Sequence, residues 1–270
     1  MDRNKIVYIS QLLHGKQVIT HALNEQEPLT LIDLASRFGV DEIVKTTKDT
    51  PFMLSLLYYF GVLTLSGEMS LDGQLILKIP NLVIRKLYVE RISELLLPDF
   101  TLKEEAQRLV EQFYKTGQLQ PLCQFLERTF KVFDNRDYRW TNELTIKTAF
   151  LTLLFNDTFY LMDSETALER TYADLTMIIR PDMRQYQLLD FLIEFKYISL
   201  KQVGLTGTQV KQKTDEELKA LDAVKAQLAE SKEQVNHYRK KLLAHYENKL
   251  RLHTYTVVAI GYERLLSWEW

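Results

Sequence analysis

Two neighbouring apolar segments in the second half of the chain constrain its fold more than any other feature. The first is Tyr172–Ile179, and the second, after a polar turn around Pro181, is Gln187–Ile198, with the sequence QLLDFLIEFKYI. Short apolar segments of this length, bounded by a turn, predict two consecutive strands. Because side chains alternate along a strand, one face of the second strand would carry Phe191, Ile193, Phe195 and Tyr197, and the other Leu192, Glu194, Lys196 and Ile198.

Charged residues interrupt both predicted strands. Asp174 is the only charge in its apolar surroundings, and Glu194 and Lys196 would stand side by side on one face. Burying such groups is costly unless they are paired or bind a cation. The residues alone therefore leave two interpretations open: a salt-bridged Glu194–Lys196 pair on an edge strand, or a cation site shared with Asp174.

An Asp on one strand followed by Glu-x-Lys on the next resembles the motif of the PD-(D/E)XK nuclease superfamily. The resemblance implies that Asp174 and Glu194 are metal ligands and that Lys196 lies beside the attacking water. Carboxylate oxygens favour Mg²⁺ or Mn²⁺, and such a cation activates water and stabilises charge on a phosphoryl group. Lys196 is expected to orient or deprotonate that water.

The order of predicted elements after about residue 140 extends this resemblance. A helix, three strands, a long helix over about Asp215–Leu250 and two closing strands follow one another. The superfamily core has the order α-β-β-β-α-β, so the expected fold is a mixed α/β, restriction-endonuclease-like core over about residues 140–270.

Two helices carry the remaining candidates for the site. The segment NELTIKTAF resembles the superfamily helix whose Glu completes the metal site, which implies that role for Glu143; a surface ion pair with Lys147 is the alternative. Gln234 and Tyr238 resemble the Q-x-x-x-Y signature of some nuclease branches. Their spacing of four places both side chains on one helix face, where they would be auxiliary site residues.

Nucleic-acid binding would have to come from local charge, because the net charge of the chain is −2. Residues 201–251 hold 11 Lys and Arg against 7 Asp and Glu. Arg239, Lys240 and Lys241 are therefore predicted to contact phosphates non-specifically. A solvated helix face is the alternative interpretation of the same residues.

Residues 1–98 form a separate predicted module. Helices are expected at 5–23, 29–38 and 50–61, followed by a hairpin with strands at 62–65 and 75–79, an order that indicates a winged-helix-like lid module. A sequence-specific DNA reader would need a basic second helix, which this segment lacks, so the alternative of a winged-helix transcription factor is disfavoured. The boundary is predicted at Pro98–Asp99, with a nuclease-like domain over 99–270.

The junction of this module carries a second resemblance. The segments LLYYFGVLTL and LKIPNLVIRKLYVERI are similar to the region that precedes the nuclease domain in AAA-ATPase-like bacterial and archaeal proteins. The matching positions are Gly61, Leu63, Thr64, Ile79, Pro80, Asn81 and Tyr88. No G-x-x-x-x-G-K-S/T phosphate loop occurs in the sequence, so no ATPase activity is expected here. The resemblance implies an ATPase or another protein as a partner.

Composition narrows the function class further. The 270 residues are 46% hydrophobic and 26% charged and include one cysteine, Cys123. These values favour a soluble cytoplasmic protein without disulfides, and no apolar run is long enough for a membrane helix. The resemblance to the PD-(D/E)XK superfamily implies that the function is that of a Mg²⁺- or Mn²⁺-dependent nuclease with DNA as substrate. The alternative is a catalytically inactive nuclease-fold adaptor that binds nucleic acid or a protein.

Overall fold

The computed structural model describes residues 29–34, 50–130, 143–163, 166–168, 171–247 and 249–270. The chain divides into two compact units, Met1–Leu95 and Leu96–Trp270. None of the described helices is both long enough and apolar enough to span a membrane. The predicted helix at 5–23 lies outside the described residues.

The first unit contains a small antiparallel sheet. Its strands are β1 (Leu29–Leu31), β2 (Thr64–Met69) and β3 (Leu75–Lys78), in the order β1-β3-β2. The predicted hairpin is confirmed, since β2 pairs with β3. The predicted helix at 29–38 is wrong at its start: Leu29 and Leu31 are buried on one face of a strand that pairs with β3, and residues 35–38 lie outside the described part.

Two described helices accompany this sheet, α1 (Thr50–Tyr59) and α2 (Leu82–Leu96). Gly61 ends the first helical segment with a φ of 70°, a left-handed conformation that glycine adopts without strain. The order of strands and helices is compatible with a winged-helix-like module. That assignment stays a prediction, because the predicted helix at 5–23 and residues 35–38 of the second one lie outside the described residues.

The second unit contains seven described strands, seven described α-helices and one short 3-10 helix, Pro181–Met183, within residues 96–130, 143–163, 166–168, 171–247 and 249–270. The strands are β4 (Tyr160–Asp163), β5 (Thr166–Leu168), β6 (Thr171–Ala173), β7 (Leu175–Ile179), β8 (Asp190–Ile198), β9 (Leu252–Ile260) and β10 (Arg264–Glu269). The helices are α3 (Phe100–Thr116), α4 (Gln120–Thr129), α5 (Glu143–Leu154), α6 (Leu200–Val203), α7 (Gly207–Gln212), α8 (Asp215–Lys219) and α9 (Asp222–His245).

Five of these strands form one sheet in the order β10-β9-β8-β7-β4. The β8 and β9 strands are parallel and joined by a crossover that contains α9, whereas the other neighbours are antiparallel. The predicted order of a helix, three strands of the main sheet, a helical crossover and two closing strands is therefore confirmed. The β5–β6 hairpin is an addition that the sequence did not indicate.

The predicted face assignment of β8 is confirmed. On one face, the Phe191 ring stacks on Phe113 with ring centroids 4.2 Å apart, and Phe195 contacts Phe150. On the other face, Leu192 packs in an apolar cluster with Val235 of α9. Glu194 and Lys196 therefore lie on the α9 side of the central strand, under the crossover helix.

The predicted long helix from Asp215 to Leu250 is wrong as a single element. It is divided into α8 and α9 by Leu221, which has an extended backbone, and it ends at His245. Leu218 and Val224 both enter one cluster with Val258 of β9. In a continuous helix these two residues would point about 120° apart, so the break allows both to pack against the sheet.

Candidate active site

A buried ion pair lies at the centre of the sheet. The side chains of Glu194 and Lys196 project from β8 toward α9, and Lys196 Nζ lies 3.2 Å from Glu194 Oε1. Glu194 is 4% exposed, and its second oxygen, Oε2, is buried without a hydrogen-bond partner among the described residues. An unsatisfied buried carboxylate oxygen is costly, which marks this atom as one that a cation or a donor from a ligand would stabilise.

Asp174 joins this pair from the neighbouring strand segment. It was predicted to lie within a strand, but it occupies a bend between β6 and β7. The β7–β8 register pairs Leu175 with Ile193, and one further step along both strands places Asp174 opposite Glu194. The strand is interrupted here because Asp174 Oδ2, rather than a backbone carbonyl, accepts the N–H of Phe195, at 2.8 Å.

Helix α5 contributes two charged residues. Glu143, half-buried, begins the described part of the helix, and Lys147 follows one turn later. Lys147 is 3% exposed, and its Nζ lies 3.4 Å from Asp174 Oδ1. The alternative of a surface Glu143–Lys147 pair is therefore wrong, because Lys147 is buried and turned toward the sheet.

The pKa values of these groups show how closely their charges interact. Burial, and then the charge of Asp174, raises the pKa of Glu194 to about 8. The same two causes raise the pKa of Glu143. Burial lowers the pKa of Lys196, but Glu194, Glu143 and Asp174 outweigh this effect, so the pKa of this lysine is raised. Three carboxylates and two ammonium groups thus share one electrostatic environment.

Helix α9 covers the site with one of the predicted auxiliary residues. Tyr238 is buried in the cluster with Leu192 and Val235. Burial, then Glu194 and then Asp174 raise the pKa of its hydroxyl to about 12. Gln234, one turn earlier, has a buried Oε1 to which no residue in the described part of the chain donates a hydrogen bond. The structure therefore brings Tyr238 within the electrostatic reach of both candidate metal ligands.

The comparisons with known proteins bear on this region directly. Residues 141–269 match the family model of the PD-(D/E)XK nuclease superfamily. The match contains Glu143, Asp174, Glu194 and Lys196. No curated protein and no solved structure matches the chain. The resemblance of the junction at Gly61–Tyr88 to AAA-ATPase-like proteins has no counterpart in these matches and stays a prediction.

The donor chemistry of the matched region fits a hard dication. Within the described residues, no three His, Cys, Asp or Glu side chains form a metal site by themselves. Mg²⁺, however, is commonly held by one or two carboxylates, with water and substrate phosphate completing its coordination. Asp174 and Glu194 supply two carboxylates, and the unsatisfied Oε2 of Glu194 is the atom that would gain most from a cation. Glu143 is the third candidate ligand.

The predicted phosphate-contacting residues lie farther along α9. Arg239 is half-buried, and its Nη1 donates to the carbonyl oxygen of Trp270 at 3.3 Å. Lys240 is exposed, whereas Lys241 is half-buried. Lys240 is thus the most accessible of the three, and their role in nucleic-acid binding stays a prediction.

Sequence reasoning missed Lys147 as a member of this cluster. A signal was present: Lys147 lies within the segment Thr145–Phe150, which otherwise holds only apolar residues and threonines. Ile146, Thr148 and Ala149 are all buried around it. A lysine within a buried helical segment needs a carboxylate partner, and Asp174 is the carboxylate that the fold supplies.

Proposed function

We propose that the matched region is a divalent-metal-dependent nuclease that hydrolyses phosphodiester bonds in DNA. The observation that carries the proposal is the buried carboxylate of Glu194, which has one oxygen unsatisfied and lies beside Asp174 and Lys196. This arrangement lies within the region that matches a nuclease superfamily. It supplies the oxygen donors and the ammonium group that phosphodiester hydrolysis requires.

Each side chain has a distinct task in this proposal. Asp174 and Glu194 would hold Mg²⁺ or Mn²⁺, with Glu143 completing the site. When bound there, the cation would lower the pKa of a water and stabilise charge on the phosphoryl oxygens. The Asp174 side chain is fixed for this task by the N–H of Phe195.

Lys196 would act on the water and the phosphate as a donor. The surrounding carboxylates raise its pKa, which keeps its ammonium protonated at neutral pH. A protonated lysine orients the attacking water and offsets phosphate charge rather than removing a proton. Tyr238, whose hydroxyl also stays protonated, would be a second donor, from α9.

A cleavage assay tests the proposal. Plasmid and single-stranded DNA are incubated with the full chain and Mg²⁺ or Mn²⁺, and the wild type is compared with Glu194→Gln and Lys196→Met. Glu216→Gln and Lys225→Met are matched controls, because both replaced residues are exposed. We expect the site variants to lose at least 100-fold in rate, in line with the effect of removing one electrostatic catalytic group, and the controls to retain activity.

Two results would contradict the proposal. Cleavage that survives both site substitutions would place the activity elsewhere. A wild-type protein that cleaves no DNA with either cation would favour the non-catalytic adaptor.

A further inference from the structure

Lys147 is a buried ammonium group that the proposed chemistry does not use. Its side chain is 4% exposed, and its neighbours along α5, Ile146 and Thr148, are buried as well. Removing an ammonium group from water costs several kcal/mol, so a lysine in this position needs a compensating carboxylate. Asp174, with Oδ1 at 3.4 Å, supplies it.

The two candidate metal ligands on the sheet are therefore paired in the same way. Asp174 has Lys147 from α5, and Glu194 has Lys196 from its own strand. Lys196 belongs to the motif of the matched superfamily, whereas Lys147 lies one helical turn after Glu143 and has no part in that motif. A second ammonium beside the metal ligands lowers the negative potential that would attract a dication.

A second buried carboxylate in the same sheet, Asp190, forms an ion pair with a purely structural role, and its hydrogen bonds differ from those of Asp174. Asp190, at the start of β8, is fully buried and receives the backbone N–H groups of Ile179 and Arg251 as well as Arg184 Nη1 at 2.7 Å. Its two oxygens are both engaged in short hydrogen bonds. The Lys147–Asp174 contact is longer, at 3.4 Å. Asp174 also lies opposite Glu194, whose Oε2 has no hydrogen-bond partner among the described residues, so this ion pair lies beside the other candidate metal ligand.

We propose that Lys147 sets the affinity of this site for divalent cations by competing, through its ammonium group, for the carboxylate of Asp174. This inference rests on the proposed function. Lys147 acts through Asp174 and not on the substrate, so it is a positioning residue rather than a catalytic one. The Asp174 side chain would keep its place without Lys147, because the N–H of Phe195 still fixes Oδ2.

The size of the effect follows from the charges. A dication held by Asp174 would stand within a few ångström of the Lys147 ammonium. Repulsion at that separation changes an equilibrium constant by about tenfold even at the dielectric constant of water. Replacing Lys147 by an uncharged residue of similar shape should therefore tighten cation binding by about tenfold.

A calorimetric titration with Mn²⁺ tests this inference without reference to activity. The full chain is compared with Lys147→Met, with Lys147→Arg and with Arg184→Met, which removes the structural ion pair of Asp190. We expect Lys147→Met to lower the Kd for Mn²⁺ about tenfold. Lys147→Arg, which keeps the charge, and Arg184→Met should stay close to the wild type. If Lys147→Met does not fold, Lys147→Gln is titrated with the same expectation.

The outcomes separate this inference from the proposed function. An unchanged or higher Kd in folded Lys147→Met, with a wild type that binds Mn²⁺, would overturn the role of Lys147 and leave the metal site intact. An equal decrease of the Kd for Mn²⁺ in Arg184→Met would also overturn the role of Lys147, because the decrease would then follow from the loss of any positive charge near the sheet. Failure of every variant to bind Mn²⁺ would overturn the metal site and this inference together.

Discussion

Replacing Glu194 by glutamine should stabilise the protein at alkaline pH. The pKa of Glu194 is raised from its ordinary value of 4.5 to about 8, first by burial and then by Asp174. The folded protein therefore holds this proton more tightly than the unfolded chain does. The associated stability is fully present below pH 4.5 and is lost as the pH rises through about 8. Glutamine has nearly the same shape but cannot ionise, so it avoids this loss.

The structure sets the scale of the effect. The interval from 4.5 to about 8, at about 1.4 kcal/mol per pH unit, corresponds to about 5 kcal/mol lost by the wild type when Glu194 is ionised. Glutamine leaves Lys196 without its charged partner, which offsets part of the gain. We therefore expect Glu194→Gln to be more stable than the wild type by about 2 kcal/mol near pH 9 and about equally stable near pH 5.

Urea unfolding in the presence of a chelator measures this difference. All three tryptophans, Trp140, Trp268 and Trp270, belong to the second unit, so tryptophan fluorescence reports the unfolding of the part that contains the site. Glu216→Gln, at an exposed position, is the control and should match the wild type at every pH. A stability difference between Glu194→Gln and the wild type that does not change with pH would refute the reasoning.

Three further predictions concern activity and the surrounding fold. The rate of cleavage at limiting Mg²⁺ should increase with pH up to about 8, because Glu194 must ionise to bind the cation. Saturating Mg²⁺ should move this increase to lower pH, and a pH–rate profile that does not depend on the Mg²⁺ concentration would contradict this prediction. Asp190→Asn should lower the free energy of unfolding in urea by about 3 kcal/mol, because this buried carboxylate accepts hydrogen bonds from two backbone N–H groups and from an arginine side chain. The folded variant should still bind Mn²⁺. Gly117→Ala should lower the free energy of unfolding by about 2 kcal/mol in the same assay, since Gly117 has a φ of 74° and an added Cβ would lie 2.7 Å from the Tyr255 hydroxyl. An unchanged free energy of unfolding would contradict the close approach of Gly117 and Tyr255.

The sequence was sufficient for the elements whose pattern is local. The alternation in β8 predicted which residues face α9, and the order of helices and strands in the second unit followed from turn signals and apolar periodicity. The same alternation placed Glu194 and Lys196 on one face. These features depend on residues that are close together in the chain, and for that reason they can be predicted from it.

Features that depend on distant partners could not be predicted in the same way. Leu29–Leu31 is too short to indicate a strand by itself and becomes one by pairing with β3, far along the chain. Asp174 leaves the strand because its side chain captures the Phe195 N–H. Lys147 is turned inward by a carboxylate on a different element. In each case a contact between segments decides the local structure.

The most direct test of the proposed site is the anomalous difference density of crystals grown or soaked with Mn²⁺. The account predicts a peak bound by the carboxylate oxygens of Asp174 and Glu194, including Glu194 Oε2, and loss of that peak in Glu194→Gln. A protein that shows no peak at this position in saturating Mn²⁺, with Asp174 still paired to Lys147 and Glu194 to Lys196, would contradict it.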